Sequence, residues 1–100
     1  MSIETDSINT TKFEVTGSID TTSSGQFEQK IWPLISKKTC NLELECSQLD
    51  YISSTGLRAF LRIAKLCASY NGSLFILSAN QFVQETIQLS GLTHHFKFRK

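Results

Sequence analysis

Residues 41 to 70 constrain the fold of this chain more than any other segment, because a strand pattern passes directly into a helix pattern. The segment NLELEC alternates, with Leu42, Leu44 and Cys46 on one side and polar or acidic residues on the other. This is the two-residue period of a half-buried β-strand. From about residue 55 to residue 70, apolar residues instead recur at the spacing of one helical face. They are Leu57, Phe60, Leu61, Ala64, Cys67 and Ala68.

The other segments repeat this alternation between strands and helices. KFEVTGSI alternates up to Gly17 and predicts a first strand, and the apolar run SLFILS predicts a central one. One predicted helix has an apolar face of Phe27, Ile31, Leu34 and Ile35. Pro33 lies inside that helix and should shorten or kink it, because proline has no backbone donor. Another helix is predicted in NQFVQETIQLSGL, from Phe82, Val83, Thr86, Ile87 and Leu89, and HFKF predicts a short last strand.

The order of these elements predicts an α/β fold. Strands and helices alternate, which implies a mixed or parallel sheet with right-handed crossovers. Because NLELEC has one acidic side, the helices are expected mainly on one face of the sheet. One hundred residues suit one compact domain. We therefore predict a single domain over residues 1–100 with a mixed β-sheet, in which residues 1–10 form a loose lead-in or an edge strand.

The composition excludes several classes of protein. The net charge is +1, with ten Lys and Arg against nine Asp and Glu, so neither nucleic acid nor an anionic membrane is expected as the main partner. No run approaches the roughly 18 apolar residues of a membrane span, and the N-terminus lacks the pattern of a secretion signal. Three cysteines without a CxxC pair indicate small apolar side chains in a reducing cytosol. We predict a cytoplasmic protein without direct membrane insertion.

No arrangement typical of an enzyme or a metal site is found in the sequence. The phosphate-cradling GxxxxGK motif and the nucleophile motif GxSxG are absent. Asp20 and Asp50 lie beside turns, and nothing pairs them as acid and base. His94 and His95 would point to opposite faces of a strand, where they could not easily share a metal ion. We predict no enzymatic activity, no cofactor and no bound metal.

Three consecutive hydroxyl residues, Ser53, Ser54 and Thr55, join the strand to the helix, and Gly56 follows them. A helix start needs one such hydroxyl as an N-cap, because its oxygen accepts a bond from an otherwise unpaired amide. Three hydroxyls are more than capping requires, and glycine in a helix costs about 0.5–1 kcal/mol relative to alanine. The residues alone leave two interpretations open, a helix cap or a site that another molecule approaches closely.

Four motifs, in the same order, resemble those of the STAS domain family. VTGSID, at residues 15–20, is similar to the family's Gly-x-Leu/Ile-Asp turn. QLDYISSTGLRAFLRIAKLC resembles its central motif, in which Asp-Ser-Ser/Thr-Gly-Leu opens an amphipathic helix. NGSLFIL and LSGLTHHF are similar to its Gly-Gly-x-Leu strand start and to its terminal Gly-Leu with an aromatic residue. The resemblance extends over about residues 13–98.

The stand-alone members that this chain resembles are bacterial anti-sigma factor antagonists. The resemblance implies a phosphorylation-controlled partner switch that acts on transcription. The unmodified antagonist binds an anti-sigma factor, which is also a serine kinase of the histidine-kinase-like type, and binding frees the sigma factor. The kinase phosphorylates the antagonist, and a PP2C-type phosphatase removes the phosphoryl group.

Carried over position by position, the resemblance makes Ser54 the phosphoacceptor. Partner contacts are then expected at Asp20, Ser53, Thr55, Gly56, Leu57 and Arg58. Arg58 could contact the partner or the phosphate, or it could be a solvated helix charge. The chain departs from the motif at Ser53, which replaces the family's Asp and removes a carboxylate beside the acceptor. It also stops soon after the last Gly-Leu, where many members carry one more helix.

Two alternatives keep the fold and change the function. Short STAS proteins also serve as fixed subunits of lipid-transport ATPase complexes, and a further possibility is a scaffold or sensor piece of a signalling assembly. The short C-terminus favours the fixed subunit. Ser54 at the acceptor position, followed by Thr55 and Gly56, favours the switch.

Overall fold

A computed structural model describes residues 10–99, which form four strands and three α-helices. The predicted lead-in falls almost entirely on residues 1–9, outside the described residues. In chain order the elements are β1 (Thr10–Ile19), α1 (Ser24–Ile31), β2 (Asn41–Ile52), α2 (Ser54–Ser69), β3 (Leu74–Leu77), α3 (Gln81–Ser90) and β4 (Lys97–Arg99). Two short 3₁₀ turns, Trp32–Leu34 and Thr93–His95, follow α1 and precede β4.

The four strands lie in the order β1-β2-β3-β4, and each neighbouring pair is parallel. The predicted α/β fold is confirmed. The described sheet is parallel rather than mixed, because every connection between its strands contains a helix and crosses back over the sheet. The central position of SLFILS is also confirmed, since β3 has a neighbour on either side.

The helices pack against the face of the sheet that NLELEC turns inward. Leu42, Leu44 and Cys46 are buried in one hydrophobic cluster that includes residues of all three helices. The opposite face is polar: the carboxylate of Glu43 pairs with Arg99 at 3.3 Å, and that of Glu45 pairs with Lys12 at 3.8 Å. Within the described ranges, no helix is long and apolar enough to cross a membrane.

Three of the predicted element boundaries can be compared directly with the structure. Gly17 does not end β1, which continues to Ile19; the glycine has φ +74° next to a register shift against β2, so it marks a bulge within the strand. Pro33 does shorten the first helix as predicted, because α1 ends at Ile31 and the chain passes into a 3₁₀ turn. The predicted strand HFKF is confirmed only in part, since His95 belongs to a 3₁₀ turn and β4 begins at Lys97.

Two predicted helix faces differ from the structure. The buried face of α2 includes Ala59 and Ile63, whereas Leu61 is half-buried and Ala68 is exposed. In α3, Val83 and Ile87 are fully buried, but Phe82 is 49% exposed and Leu89 is 90% exposed. Both helices carry more apolar residues than one stripe holds, so periodicity alone did not decide which of them face the core.

Candidate functional site

The three α-helices begin at one edge of the sheet. α1, α2 and α3 each follow a parallel strand, so their N-termini lie at the carboxyl ends of β1, β2 and β3. In parallel sheets, functional sites lie outside this edge. Each helix N-terminus also carries a partial positive charge from its aligned peptide dipoles. The predicted site residues from Ser53 to Arg58 are at the start of α2, in the middle of this edge.

Ser53 is the N-cap of α2. Its backbone is extended, and its hydroxyl oxygen accepts a hydrogen bond from the Gly56 amide at 3.1 Å. Its own amide donates to the carbonyl oxygen of Ile19 at 2.9 Å, which ties the start of α2 to the end of β1. Serine and aspartate are about equally good N-caps. The departure from the family motif at this position therefore preserves the cap while removing the charge.

Ser54 is the first residue of α2, and its side chain is exposed. Among residues 10–99, no group forms a hydrogen bond with its hydroxyl, and the amides of Ser54 and Thr55 have no acceptor either. Because Ser53 already supplies the cap, the hydroxyl of Ser54 is not needed to start the helix. It is an accessible oxygen next to two unpaired amide donors.

Gly56 brings the start of α2 against β1. A Cβ atom at this position would lie 2.3 Å from the carbonyl oxygen of Ile19 and 2.8 Å from its Cγ2 atom. Such distances do not occur between real atoms, so any side chain here would push the helix away from the strand. The close approach that Gly56 permits is therefore the contact between the start of α2 and the backbone of β1 in the same chain.

The remaining predicted residues of α2 differ in exposure. Thr55 is half-buried, while Gly56 and Leu57 are buried. The two buried residues therefore affect the site through the packing of α2. Arg58 is exposed and forms no ion pair with any described residue. It follows Ser54 by four positions, which places the two side chains on the same helical face.

Asp20 lies at the same edge, directly after β1. Its Oδ1 atom accepts hydrogen bonds from the Thr22 hydroxyl at 2.7 Å and from the Thr22 amide at 2.9 Å. These bonds lower the pKa of Asp20. The Ser23 hydroxyl donates to the carbonyl oxygen of Ser18 at 2.8 Å, which closes the turn before α1. Asp20 therefore holds this turn in shape beside the N-terminus of α2.

An exposed aromatic pair next to the site was missed by sequence reasoning. The rings of Tyr51 and Phe82 stack with their centroids 5.6 Å apart. Asn80 fixes the start of α3 here, because its Oδ1 atom accepts from the Val83 amide at 2.8 Å and its Nδ2 group donates to the Leu49 carbonyl oxygen at 3.1 Å. The only sequence signal is the aromatic character of the two residues, and the helical spacing predicts Phe82 on the apolar face of its helix.

The cysteines and histidines form neither a nucleophilic site nor a metal site in the described part of the chain. Burial raises the pKa of the Cys46 thiol to about 12 and that of the Cys67 thiol to about 11, so both remain protonated near neutral pH. The rings of His94 and His95 lie 4.1 Å apart in the turn before β4 rather than on opposite faces of a strand. No group of three or more potential metal ligands occurs among residues 10–99.

Comparison with known proteins gives this site its family context. The STAS domain family matches residues 2–100 of the chain. The chain belongs to the STAS domain family. One relative is the candidate anti-sigma factor antagonist BtrV of Bordetella bronchiseptica. The two sequences are 30% identical over 80 residues, which cover 80% of this chain and 69% of BtrV.

Solved STAS structures confirm the fold. A candidate anti-sigma factor antagonist from Thermotoga maritima superposes with a TM-score of 0.84 at 18% identity, over 92% of this chain and 80% of that one. The anti-sigma factor antagonist SpoIIAA in its unphosphorylated form gives a TM-score of 0.72 at 14% identity, over 93% of this chain and 81% of that one. At these identities the two likenesses establish the STAS architecture alone.

Proposed function

We propose that this STAS protein is an anti-sigma factor antagonist in a phosphorylation-controlled partner switch. Its unphosphorylated form binds an anti-sigma factor that is also a histidine-kinase-like serine kinase. Phosphorylation of Ser54 releases the partner, and a PP2C-type phosphatase restores binding. The relationship to BtrV supports the role. One observation supports the assignment of Ser54 as the acceptor. At the start of α2, Ser53 caps the helix, and Ser54 is exposed.

The start of α2 suits a serine that is reversibly phosphorylated. A phosphoryl group adds about −1.5 to −2 charges near neutral pH. The positive end of the helix dipole and the unpaired amides of Ser54 and Thr55 stabilise that charge. Arg58, on the same helical face, can form an ion pair with it. The modified antagonist therefore keeps its fold, and the effect of phosphorylation falls on the partner.

Release of the partner follows from the cost of burying the new charge. A partner surface packed on the edge around Ser54 would have to remove water from a phosphoryl dianion. Moving a binding equilibrium from 99:1 to 1:99 takes about 5.5 kcal/mol. Burial of an unpaired charge costs several kcal/mol, which is of the required size. In the unmodified state, the half-buried Ser53 and Thr55 supply uncharged contacts to the partner, and Asp20 supplies a charged one.

The buried members of the predicted contact set act indirectly in this proposal. Gly56 allows α2 to approach β1, and Leu57 anchors the first turn of α2 in the core. They set the position of Ser54 and Arg58 relative to the end of β1. Arg58 is the exposed cation of the set and interacts with either the partner or the phosphoryl group.

The test is co-purification of the tagged chain and its variants from its own host, with mass spectrometry of the partners and of Ser54. We expect Ser54→Ala to retain a histidine-kinase-like serine kinase. Ser54→Asp should weaken that binding by up to about 10⁴-fold, the change that a switch from 99:1 to 1:99 requires. Ser47→Ala, which removes an exposed hydroxyl from β2, is the matched control and should behave as the unaltered chain.

Two outcomes would contradict the proposal. Equal binding of the kinase by Ser54→Ala and Ser54→Asp would reduce Ser54 to a helix residue without a regulatory role. Recovery of a transport ATPase without a serine kinase would favour the fixed-subunit alternative, and the edge around Ser54 would then be a permanent docking surface.

A further inference from the structure

The exposed side of α2 carries a row of cations that begins one helical turn after Ser54. Arg58, Arg62 and Lys65 are all exposed, and they follow Ser54 at a spacing that keeps the four side chains on one side of the helix. From Ser54 to Lys65 the row extends roughly 16 Å along the helix axis. These three cations are the only charged residues of α2, so the helix itself has no carboxylate to balance them.

An exposed tryptophan is held beside this row. Trp32 lies in the 3₁₀ turn after α1 and is 42% exposed. Its Nε1 group donates to Oε2 of Glu28 at 3.1 Å, and Nε of Arg62 donates to the same oxygen at 3.0 Å. One carboxylate oxygen therefore fixes the indole next to the guanidinium of α2. Tryptophan and arginine are among the residue types most enriched at the energetic centres of protein interfaces.

The surface formed by Trp32, Arg58, Arg62 and Lys65, here called the α2 face, is positively charged. Arg62 pairs with Glu28, whereas neither Arg58 nor Lys65 forms an ion pair with any residue in the range 10–99. With three cations and the one carboxylate of Glu28, the net charge is +2. Potentials of opposite sign meet at protein interfaces. The complementary surface is therefore acidic and carries an apolar side chain against Trp32.

We infer that the partner kinase binds along the α2 face with an acidic surface, so that its contact extends from Ser54 to Trp32. The inference rests on the proposed function, because the occupant is the kinase that binds at Ser54. The face continues the edge around Ser54, since Arg58 lies one turn along the same helix, and a partner seated on Ser54 therefore reaches it. A symmetric contact between two copies of this chain would place cations against cations, which disfavours a second copy as the occupant.

Phosphorylation of Ser54 removes the electrostatic attraction of the α2 face. A phosphoryl group of about −1.5 to −2 charges offsets the positive charge of the face at the end nearest the edge. It also pairs with Arg58, four positions along the helix. Arg58 thus contacts the acidic partner in the unmodified state and the phosphoryl group in the modified state. The partner then meets a charge of its own sign, and this repulsion adds to the desolvation cost that releases it.

The experiment measures the binding kinetics of the purified kinase on the immobilised full chain at low and high salt. Every variant is made in the Ser54→Ala chain, which the kinase cannot modify at that position. Arg58→Gln combined with Lys65→Gln should lower the association rate about threefold to tenfold at low salt and should reduce its dependence on salt. Trp32→Ala should weaken binding about tenfold or more, mainly through faster dissociation.

Two control variants lie outside the α2 face. Lys12→Gln combined with Lys97→Gln removes two lysines from the polar face of the sheet, where Lys12 pairs with Glu45 and Lys97 lies over the ring of Phe75. Leu89→Ala truncates an apolar side chain of α3 that is 90% exposed. Both controls should bind the kinase as the Ser54→Ala chain does. Unchanged circular dichroism of all variants ensures that loss of binding is not loss of the fold.

The outcomes separate this inference from the proposed function. Kinase binding that is unchanged by the variants at Trp32, Arg58 and Lys65 would overturn the inference and leave the switch at Ser54 intact. Tighter binding after removal of the two cations would overturn it as well, because the partner surface would then be basic. Failure of the switch itself has a different result, namely equal binding by Ser54→Ala and Ser54→Asp, and the inference would fall with it.

Discussion

The carbonyl oxygen of Ile19 lies 2.3 Å from the point at which a side chain on Gly56 would place its Cβ atom. The same oxygen accepts the hydrogen bond of the Ser53 amide. One carbonyl group at the end of β1 thus fixes both the cap and the first turn of α2. The position of Ser54 depends on this contact, because Ser54 lies between the two residues that make it.

Gly56→Ala should therefore destabilise the protein. The added methyl group must displace backbone rather than a flexible side chain, and overpacking of this kind costs about 1–3 kcal/mol. Gly25→Ala is the matched control, because Gly25 is also near a helix start but has nothing within 4 Å of its Cβ position. Alanine there should leave the free energy of unfolding unchanged or raise it by up to about 1 kcal/mol. Urea denaturation of both variants measures the difference, and equal stabilities would contradict the contact.

Substitutions at the two adjacent serines, Ser53 and Ser54, should change the free energy of unfolding by different amounts. Ser53→Ala removes the cap and should lower the free energy of unfolding by about 1 kcal/mol, whereas Ser53→Asp retains the capping oxygen. Ser54→Ala should change stability by less than about 0.5 kcal/mol, because its hydroxyl has no partner among the described residues. Urea denaturation again provides the measurement. A larger loss in Ser54→Ala than in Ser53→Ala would mean that the capping roles are reversed.

The strand and helix patterns predicted the architecture well because they depend on local chemistry. The alternation of Leu42, Leu44 and Cys46 gave the buried side of β2, and the structure confirms it. The face of α2 was less well predicted, since Ile63 is fully buried while Leu61 is only half-buried. Two neighbouring apolar stripes fit the same helical period, and the packing partners that select one of them lie on other elements.

The sequence singled out the segment from Ser53 to Gly56, but it did not show which hydroxyl caps the helix. Three hydroxyls in a row carry no local signal that tells the cap from the exposed serine. Ser53 becomes the cap because its backbone is extended and hydrogen-bonded to Ile19, which is distant in the sequence. The need for a glycine at position 56 is equally non-local, because it comes from the contact with Ile19. The stacking of Tyr51 on Phe82 joins β2 to α3 and could not be read from either segment alone.

The folded state should lose stability in acid partly because protonation breaks an ion pair between α1 and α2. The carboxylate of Glu28 accepts a hydrogen bond from Nε of Arg62 at 3.0 Å and another from Trp32 Nε1 at 3.1 Å. The Arg62 guanidinium is the main cause of a pKa of Glu28 below its usual value. A lowered pKa in the folded state gives stability that is complete above the usual glutamate value of about 4.3 and is lost as the pH falls through the lowered value.

Arg62→Gln tests this pair. Because Arg62 is half exposed, water screens the interaction, and we expect a loss of only about 0.5 kcal/mol near neutral pH. The stability of the variant should fall less steeply than that of the unaltered chain as the pH decreases below about 4.3. Arg58→Gln removes an exposed arginine without an ion pair in the described chain and should keep the original pH profile. Parallel profiles for all three proteins would show that the pair contributes nothing.

The stacked rings of Tyr51 and Phe82 should be energetically coupled although both are exposed. Ring pairs at such distances contribute about 0.5–1.5 kcal/mol beyond their buried area. A double-mutant cycle with Tyr51→Ala and Phe82→Ala isolates this coupling from the separate effect of each truncation. Leu89→Ala on the same helix is the control: its side chain is 90% exposed, so its stability should stay within about 0.5 kcal/mol of the unaltered chain. A coupling energy near zero would mean that the rings do not stack in solution, and the edge beside Ser54 would then have no fixed aromatic surface.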